Sequence, residues 1–303
     1  MEYSELIKKV HKIEIKAKGL SRNVFAGQYK SAFKGRGMTF SEVREYSYGD
    51  EIRTIDWNVT ARYNKPFVKI FEEERELALM LLIDVSASTG FGSKTCLKTD
   101  TITEIAAILA FSAIANNDKV GAILFSDKIE MYIPAKKGSS HCLRIIRELL
   151  NFRPKSDGTS FNEPFVFINN VIKRHCTCFF ITDGLLNQQF SQKDKTNSQS
   201  PFDKSLSIFA RKHDVCAIIV NDKMEYELPN LGVTLFEDAE TKEKIWVDTS
   251  NKKTREEFAK YMLNNQKAVT DEFKKLGMDY VQVNTDSDYT KHLIKLFANR
   301  ERL

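Results

Sequence analysis

Residues 77–83, LALMLLI, form an unbroken apolar run that stops at Asp84-Val85-Ser86. A half-exposed strand would alternate apolar and polar residues. A run without alternation, charged before and polar after, predicts a strand buried on both faces. Such a strand needs a layer of structure on each side, and the rest of the chain supplies the pieces. Residues 119–127 (KVGAILFSD), 176–184 (CTCFFITDG) and 215–222 (VCAIIVND) repeat the pattern, and 129–135 reads as an edge strand.

Helical patterns separate these strands. Thr101-x-x-Glu104 reads as a capping box opening a helix that reaches about Asn116. That helix is apolar nearly all round, so it is expected to lie against the sheet and be covered in turn. Residues 141–152, 163–174 and 202–213 have helical periodicity, with Pro164 in a first turn. Strands alternating with helices predict an α/β fold: a mostly parallel, Rossmann-like sheet covered by helices on both faces.

Two flanking regions differ. Residues 4–18 predict an amphipathic helix, with Leu6, Ile7, Val10, Ile13 and Ala17 at helical spacing. Residues 19–66 carry five glycines among Arg, aromatic and acidic residues and predict short strands and loops. After residue 225 come a hairpin (232–248) with a polar turn at 239–242, a long helix (254–276) ending before Gly277, a strand (279–284) and a last helix (289–299). The division expected is therefore 1–75, 76–225 and 226–303, the last packed on the middle domain. The polar stretch 192–201 reads as a surface loop.

Charge and cysteine content bound the setting. The net charge of +5 lies in the first 70 residues, which hold nine Lys and five Arg against eight Asp and Glu. The lysines are spread out, as on a solvated surface, and a salt-sensitive nucleic-acid site is a minor alternative. Five cysteines, an odd number mostly in apolar runs, argue against a disulfide framework and for a reducing, cytoplasmic setting. Neither a signal peptide nor a membrane span is expected.

In an open α/β sheet, ligands bind beyond the carboxyl ends of the strands. Three polar groups fall there: Asp84, Ser86 and Ser88 after the first buried strand, Asp157-Gly158-Thr159-Ser160 in a loop, and Thr182-Asp183-Gly184 after a central strand. Side chains at i, i+2 and i+4 of a turn can aim at one ion. The two carboxylates Asp84 and Asp183, with hydroxyls from Ser86, Ser88 and Thr159, are hard donors suited to Mg2+, Mn2+ or Ca2+ and not to zinc. Mg2+ keeps some of its waters, which leaves a position for an incoming carboxylate. By contrast, Cys176-x-Cys178 reads as part of an apolar strand, because no second Cys/His pair has metal-site spacing and the histidines, His213 among them, stand apart in sequence.

This set resembles the metal-ion-dependent adhesion site of von Willebrand factor A-like domains. The segment before it resembles the signature of the bacterial family called domain of unknown function 58, in Arg44, Tyr46, Gly49-Asp50, Arg53, Ile55-Asp56-Trp57, Ala61-Arg62 and the acidic run 72–74. The hairpin and C-terminal tail resemble that family too. Two positions depart from its pattern: Thr89, where Met is frequent, and Asp157, where a second Gly is usual.

The resemblance implies a cytoplasmic, non-enzymatic adaptor that works with a MoxR-type AAA+ ATPase and binds a protein partner offering an acidic residue to the metal. Arg44, Tyr46, Asp50, Arg53, Asp56, Trp57 and Arg62 are expected to brace the fold through ion pairs, with Trp57 as an apolar anchor, or else to form a partner surface. The competing reading is a metal-dependent phosphohydrolase of haloacid dehalogenase-like type. Such an enzyme carries a second acid two residues after its nucleophile, where this chain has Ser86.

Overall fold

The computed structural model describes residues 3–21, 38–73, 77–93, 96–156, 158–185, 202 and 204–300. They form two compact units, one of Met1–Ala32 with Ala78–Leu303 and one of Phe33–Leu77. These units do not follow the division at residues 75 and 225, since the N-terminal helix groups with the larger one.

The larger unit is built on a six-stranded sheet. Its strands are β3 (Ala78–Asp84), β4 (Lys119–Phe125), β5 (Ile129–Lys136), β6 (Thr177–Thr182), β7 (Asp214–Asn221) and β10 (Asp279–Asn284). The order across the sheet is β10-β7-β6-β3-β4-β5. All neighbours are parallel except β5, which pairs antiparallel with β4 at one edge. This is the mixed α/β, Rossmann-like sheet expected from the alternating runs.

Both faces of the sheet are covered, which explains why β3 lacks alternation. Met80 and Leu82 join Ile123, Phe125, Cys178, Phe180, Ala217 and Ile219 in one core. Helices α5 (Asn162–Val171), α6 (Lys204–Lys212) and α7 (Lys252–Lys275) close that face with Phe165, Phe209 and Phe273. Leu79, Leu81 and Ile83 are as fully buried on the other face. There lie α1 (Tyr3–Leu20), α3 (Lys98–Ala115), α4 (Ser139–Asn151) and α8 (Tyr289–Arg300). Each large apolar side chain so buried contributes about 1.5–3 kcal/mol relative to exposure.

Helix α3 is buried on nearly all sides, as its composition requires. It begins at Lys98, three residues before the expected capping box, and Leu97 caps it without a side-chain bond. Thr101 is therefore inside the helix. Glu104 serves another purpose: its Oε2 accepts from Lys16 of α1 and from Tyr289 of α8, both at 2.5 Å. One carboxylate thus ties three helices together. Ile13 and Ala17 form the buried stripe of α1, while the side chains of Leu6 and Ile7 lie outside the described residues.

The amino ends of β7 and β10 are braced by Arg300, which pairs with Asp214 and Asp279. Strands β8 (Val233–Glu237) and β9 (Lys244–Asp248) form a separate two-stranded hairpin. None of the five cysteines is in a disulfide, and no described helix is long and apolar enough to cross a membrane.

The smaller unit pairs β1 (Met38–Glu45) antiparallel with β2 (Phe67–Glu73), with an irregularity between Phe40 and Glu42. A short helix, α2 (Trp57–Tyr63), lies between them. Arg44 grips Asp50 through two bonds of 2.8 and 2.7 Å, and Asp50 also accepts the Ser47 N–H. Asp56 caps α2 by accepting from the backbones of Asn58 and Val59. These contacts are bracing within the unit. Trp57, expected as a buried anchor, is 67% exposed and lines a shallow pocket with Thr60, Ala61, Asn64, Lys65 and Pro66. Arg53 and Arg62 are exposed and Tyr46 is half-buried.

Candidate metal centre

Three strand ends meet at one side of the large sheet. Strand β3 ends at Asp84, beside Phe125 of β4, and β6 ends at Thr182. The chain after Asp84 turns sharply into the short helix Ala87–Gly90. In that turn Asp84 Oδ1 accepts from the backbone N–H of Ser86 at 3.0 Å and from its hydroxyl at 2.6 Å. The Ser86 and Ser88 hydroxyls are 3.1 Å apart. Thr89, one of the two departures, donates its hydroxyl to the Ser86 carbonyl at 2.7 Å and so tightens the turn.

Thr182 joins the two central strands. Its hydroxyl donates to Asp84 Oδ2 at 2.8 Å and accepts the Gly184 N–H at 3.0 Å. Gly184 has φ +69°, and a Cβ there would come 3.1 Å from Ile219. A glycine is therefore needed for the chain to turn away directly after Asp183.

Asp84 is buried, yet no cation pairs with it among the described residues. Burial, followed by the negative charge of Asp183, pushes its carboxyl up to about 7, while bonds from Ser86 and Thr182 favour the charged form. Asp183 is engaged differently. Its Oδ2 accepts from Lys98 Nζ at 2.8 Å and its Oδ1 from the Leu185 N–H at 3.1 Å. Lys98, fully buried at the start of α3, also pairs with Glu225. Burial disfavours the Lys98 ammonium, but Asp183 and Glu225 outweigh it and hold its pKa above the ordinary value. Burial raises Glu225 despite Lys98.

Thr159 stands in the loop after α4, held by the Ser160 N–H donating to the Ser126 carbonyl at the end of β4. Its hydroxyl donates to Glu240 Oε1 at 2.8 Å. Glu240 comes from the tip of the β8–β9 hairpin and feels the charge of Asp183. Of the five residues read from the sequence, Asp84, Ser86 and Ser88 form a contiguous trio, the charge of Asp183 acts on Asp84, and Thr159 is bonded to Glu240, which feels Asp183 in turn. Asp157 lies outside the described residues.

Sequence reasoning missed Lys98, Glu225 and Glu240. Lys98 looks like an ordinary solvated lysine ahead of a capping box, and only the true helix start buries it. Glu240 looks like any acid in a polar turn.

The donor set fits a divalent cation. Asp183 and Glu225 share one buried ammonium, Asp84 has no cationic partner among the described residues, and every donor is oxygen. Asp84, Ser86, Ser88, Thr159 and Asp183 are the residues that would hold it.

A second cluster lies at the opposite end of β6. Cys176, Cys178 and His213 are all buried, with ligand atoms within 4.8 Å of one another. Cys176 Sγ is 3.4 Å from Cys178 Sγ and 3.2 Å from His213 Nδ1. The fold therefore brings to Cys176-x-Cys178 a histidine 37 positions away, which sequence spacing had set aside. The hydrogen bond from Cys178 lowers the Cys176 thiol to about 6 despite burial, with His213 adding to it. The trio is one donor short of a tetrahedral zinc set.

Comparisons with known proteins agree with the resemblance to domain of unknown function 58. The chain is 27% identical over 295 residues to the "Uncharacterized protein Rv1480" of Mycobacterium tuberculosis, spanning 96% of this chain and 88% of that one. "Uncharacterized protein YeaD" of Bacillus subtilis is 26% identical over 109 residues, spanning 36% of this chain and 25% of that one. Among solved structures, BatB from Bacteroides thetaiotaomicron covers 75% of this chain and 100% of its own at 16% identity and a TM-score of 0.44. An aerotolerance-related membrane protein from Bacteroides fragilis covers 75% and 98% at 15% identity and a TM-score of 0.45. The sequence model of the family described as "Protein of unknown function DUF58" matches residues 42–268. With three quarters of its length so matched, the chain belongs to the DUF58 family.

Proposed function

We infer that this protein is a metal-dependent protein–protein interaction module of the von Willebrand factor A-like kind, and that its work is recognition rather than turnover. The observation that carries this reading is the Asp84 turn. A buried carboxylate without a cationic partner lies against two serine hydroxyls at the carboxyl end of the sheet, beside Asp183. Buried carboxylates are stabilised by a paired charge or a metal, and oxygen donors select Mg2+, with Mn2+ or Ca2+ as substitutes. Mg2+ bound there retains an exchangeable position that a partner's Asp or Glu can take. The Ser86 hydroxyl is committed to Asp84 rather than to a substrate.

The setting we infer is the cytoplasm, and the function that of an adaptor for a MoxR-type AAA+ ATPase in protein assembly or maturation. The test is crosslinking in the native cell followed by capture of the tagged chain. Wild-type protein is expected to retain that ATPase or its client with Mg2+ and to lose it with EDTA or with Asp84→Ala. Capture indifferent to both changes overturns the reading.

A further inference from the structure

The cluster at the amino end of β6 is built like a site rather than like a patch of core. Cys176 immediately precedes β6, Cys178 is the second residue of that strand, and His213 fills the single position between α6 and β7. The backbone fastens each of them. The Asp214 N–H donates to the Cys176 carbonyl and the His213 N–H to the Phe209 carbonyl, both at 3.0 Å. Cys178 pairs with Val215 in the parallel ladder. The three donors therefore hold their places on rigid elements, as a preorganised site requires.

Their spacing suits one ion. The sulfurs are 3.4 Å apart, His213 Nδ1 is 3.2 Å from Cys176 Sγ, and all three ligand atoms lie within 4.8 Å of one another. Zn–S bonds of about 2.3 Å and Zn–N bonds of about 2.0–2.1 Å, at tetrahedral angles, put neighbouring donors about 3.6–3.8 Å apart. The two measured edges are shorter than that by roughly 0.4 Å, which small side-chain rotations supply.

Without a metal the histidine is poorly served. A thiol is a weak hydrogen-bond partner, and His213 Nε2 is buried with no partner among the described residues. Buried polar atoms are ordinarily paired. An ion bound at Nδ1 replaces the weak sulfur contact with a coordinate bond. Charge then selects the ion. Thiolate and imidazole donors favour Zn2+ or Cu+ over Mg2+ and Mn2+. Two thiolates and a divalent ion sum to zero charge, which an apolar core tolerates, whereas a monovalent ion leaves one negative charge buried. Zn2+ held by three protein donors completes its tetrahedron with water. The exposed His175, next to Cys176, sets the cluster at the rim of the core.

We propose that Cys176, Cys178 and His213 bind one Zn2+ ion, at the end of β6 opposite the Asp84 turn. Binding releases the thiol protons to solvent and leaves both cysteines as thiolates. The site stands or falls independently of the Asp84 turn.

The experiment uses the full chain, reduced and stripped with EDTA. Co2+ alone is titrated first, because its thiolate complexes give a near-ultraviolet charge-transfer band and oxygen ligands do not. The wild type is expected to develop that band with one Co2+ per chain and to lose it when Zn2+ is added. Cys178→Ser and His213→Asn are each expected to weaken Co2+ by more than about 100-fold, beyond the loss typical of an outer-shell partner. Cys96→Ser, at an exposed cysteine outside the cluster, is expected to match the wild type. Melting in EDTA separates lost ligation from lost fold: without metal, Cys178→Ser is expected to melt close to the wild type. A second arm needs no variant. Zn2+ is expected to protect Cys176 and Cys178 of the wild type from alkylation in moderate urea, as read by mass spectrometry.

A wild type that gives no sulfur band with Co2+ overturns the proposal. A band that keeps wild-type affinity in Cys178→Ser and His213→Asn does so too. Equal alkylation of Cys176 and Cys178 with and without Zn2+ has the same force.

Discussion

Strand β6 carries a chemical cluster at each end, and the two are opposites. Beyond its carboxyl end, Asp183 joins Asp84, Ser86, Ser88, Thr159 and Glu240 in an all-oxygen group with more negative than positive charge. At its amino end, Cys176 and Cys178 meet His213 in a small, soft group sealed in the apolar core. The oxygen group is made by turns: Asp84 folds back on Ser86, Gly184 bends at positive φ, and a hairpin tip reaches across. The sulfur group is made by ordinary strand geometry, residues two apart facing one way, plus one residue just beyond a helix end. Burial alone does not distinguish them. What does is a buried carboxylate without a cationic partner among the described residues, which the oxygen end has in Asp84 and the sulfur end, built of thiols and an imidazole, lacks.

Lys98 offers the severest way to break this contrast. Lys98→Met strips the ammonium from Asp183 and Glu225, and the urea midpoint is expected to fall by the equivalent of about 3–5 kcal/mol. A change near zero would mean that the oxygen end is not strained by its charge. Next is Asp84→Ala, expected to weaken Mn2+ more than about 100-fold in calorimetry, beyond the loss typical of an outer-shell partner. The double variant Cys176→Ser/Cys178→Ser is expected to keep wild-type Mn2+ affinity, and a loss there would erase the distinction between the ends.

Gly184→Ala probes the backbone alone. The left-handed conformation costs a non-glycine residue about 1–2 kcal/mol, read as a lower thermal midpoint. The smallest effect belongs to the soft end. Cys178→Ala removes one buried sulfur and is expected to cost about 1 kcal/mol, with Mn2+ titrations unchanged.

Much of this contrast is legible in the sequence, for a physical reason. The β3 run must be buried on both faces because nothing in it faces water, and the Asp-x-Ser-x-Ser turn follows at once, so strand and site are read from neighbouring residues. Long-range pairings are not written that way. His213 reaches Cys176 only because β6 and β7 are adjacent and parallel, with Thr177 opposite Asp214. Lys98 is hidden by a plausible capping box three residues on, and the apolar environment that buries it comes from the fold. Trp57 misleads in the opposite sense: a large aromatic predicts burial, but the short helix that bears it turns it outward.

The contact between Thr159 and Glu240 has a consequence for how the polar corner of the molecule is held together. The bond joins positions 81 residues apart, and the chain entropy of closing a loop grows only slowly with its length, by about 0.6 kcal/mol for each doubling. A single hydrogen bond worth about 0.5–1.5 kcal/mol does not offset the whole of that closure. The order of this corner is therefore borrowed from the strands that carry the two segments to it.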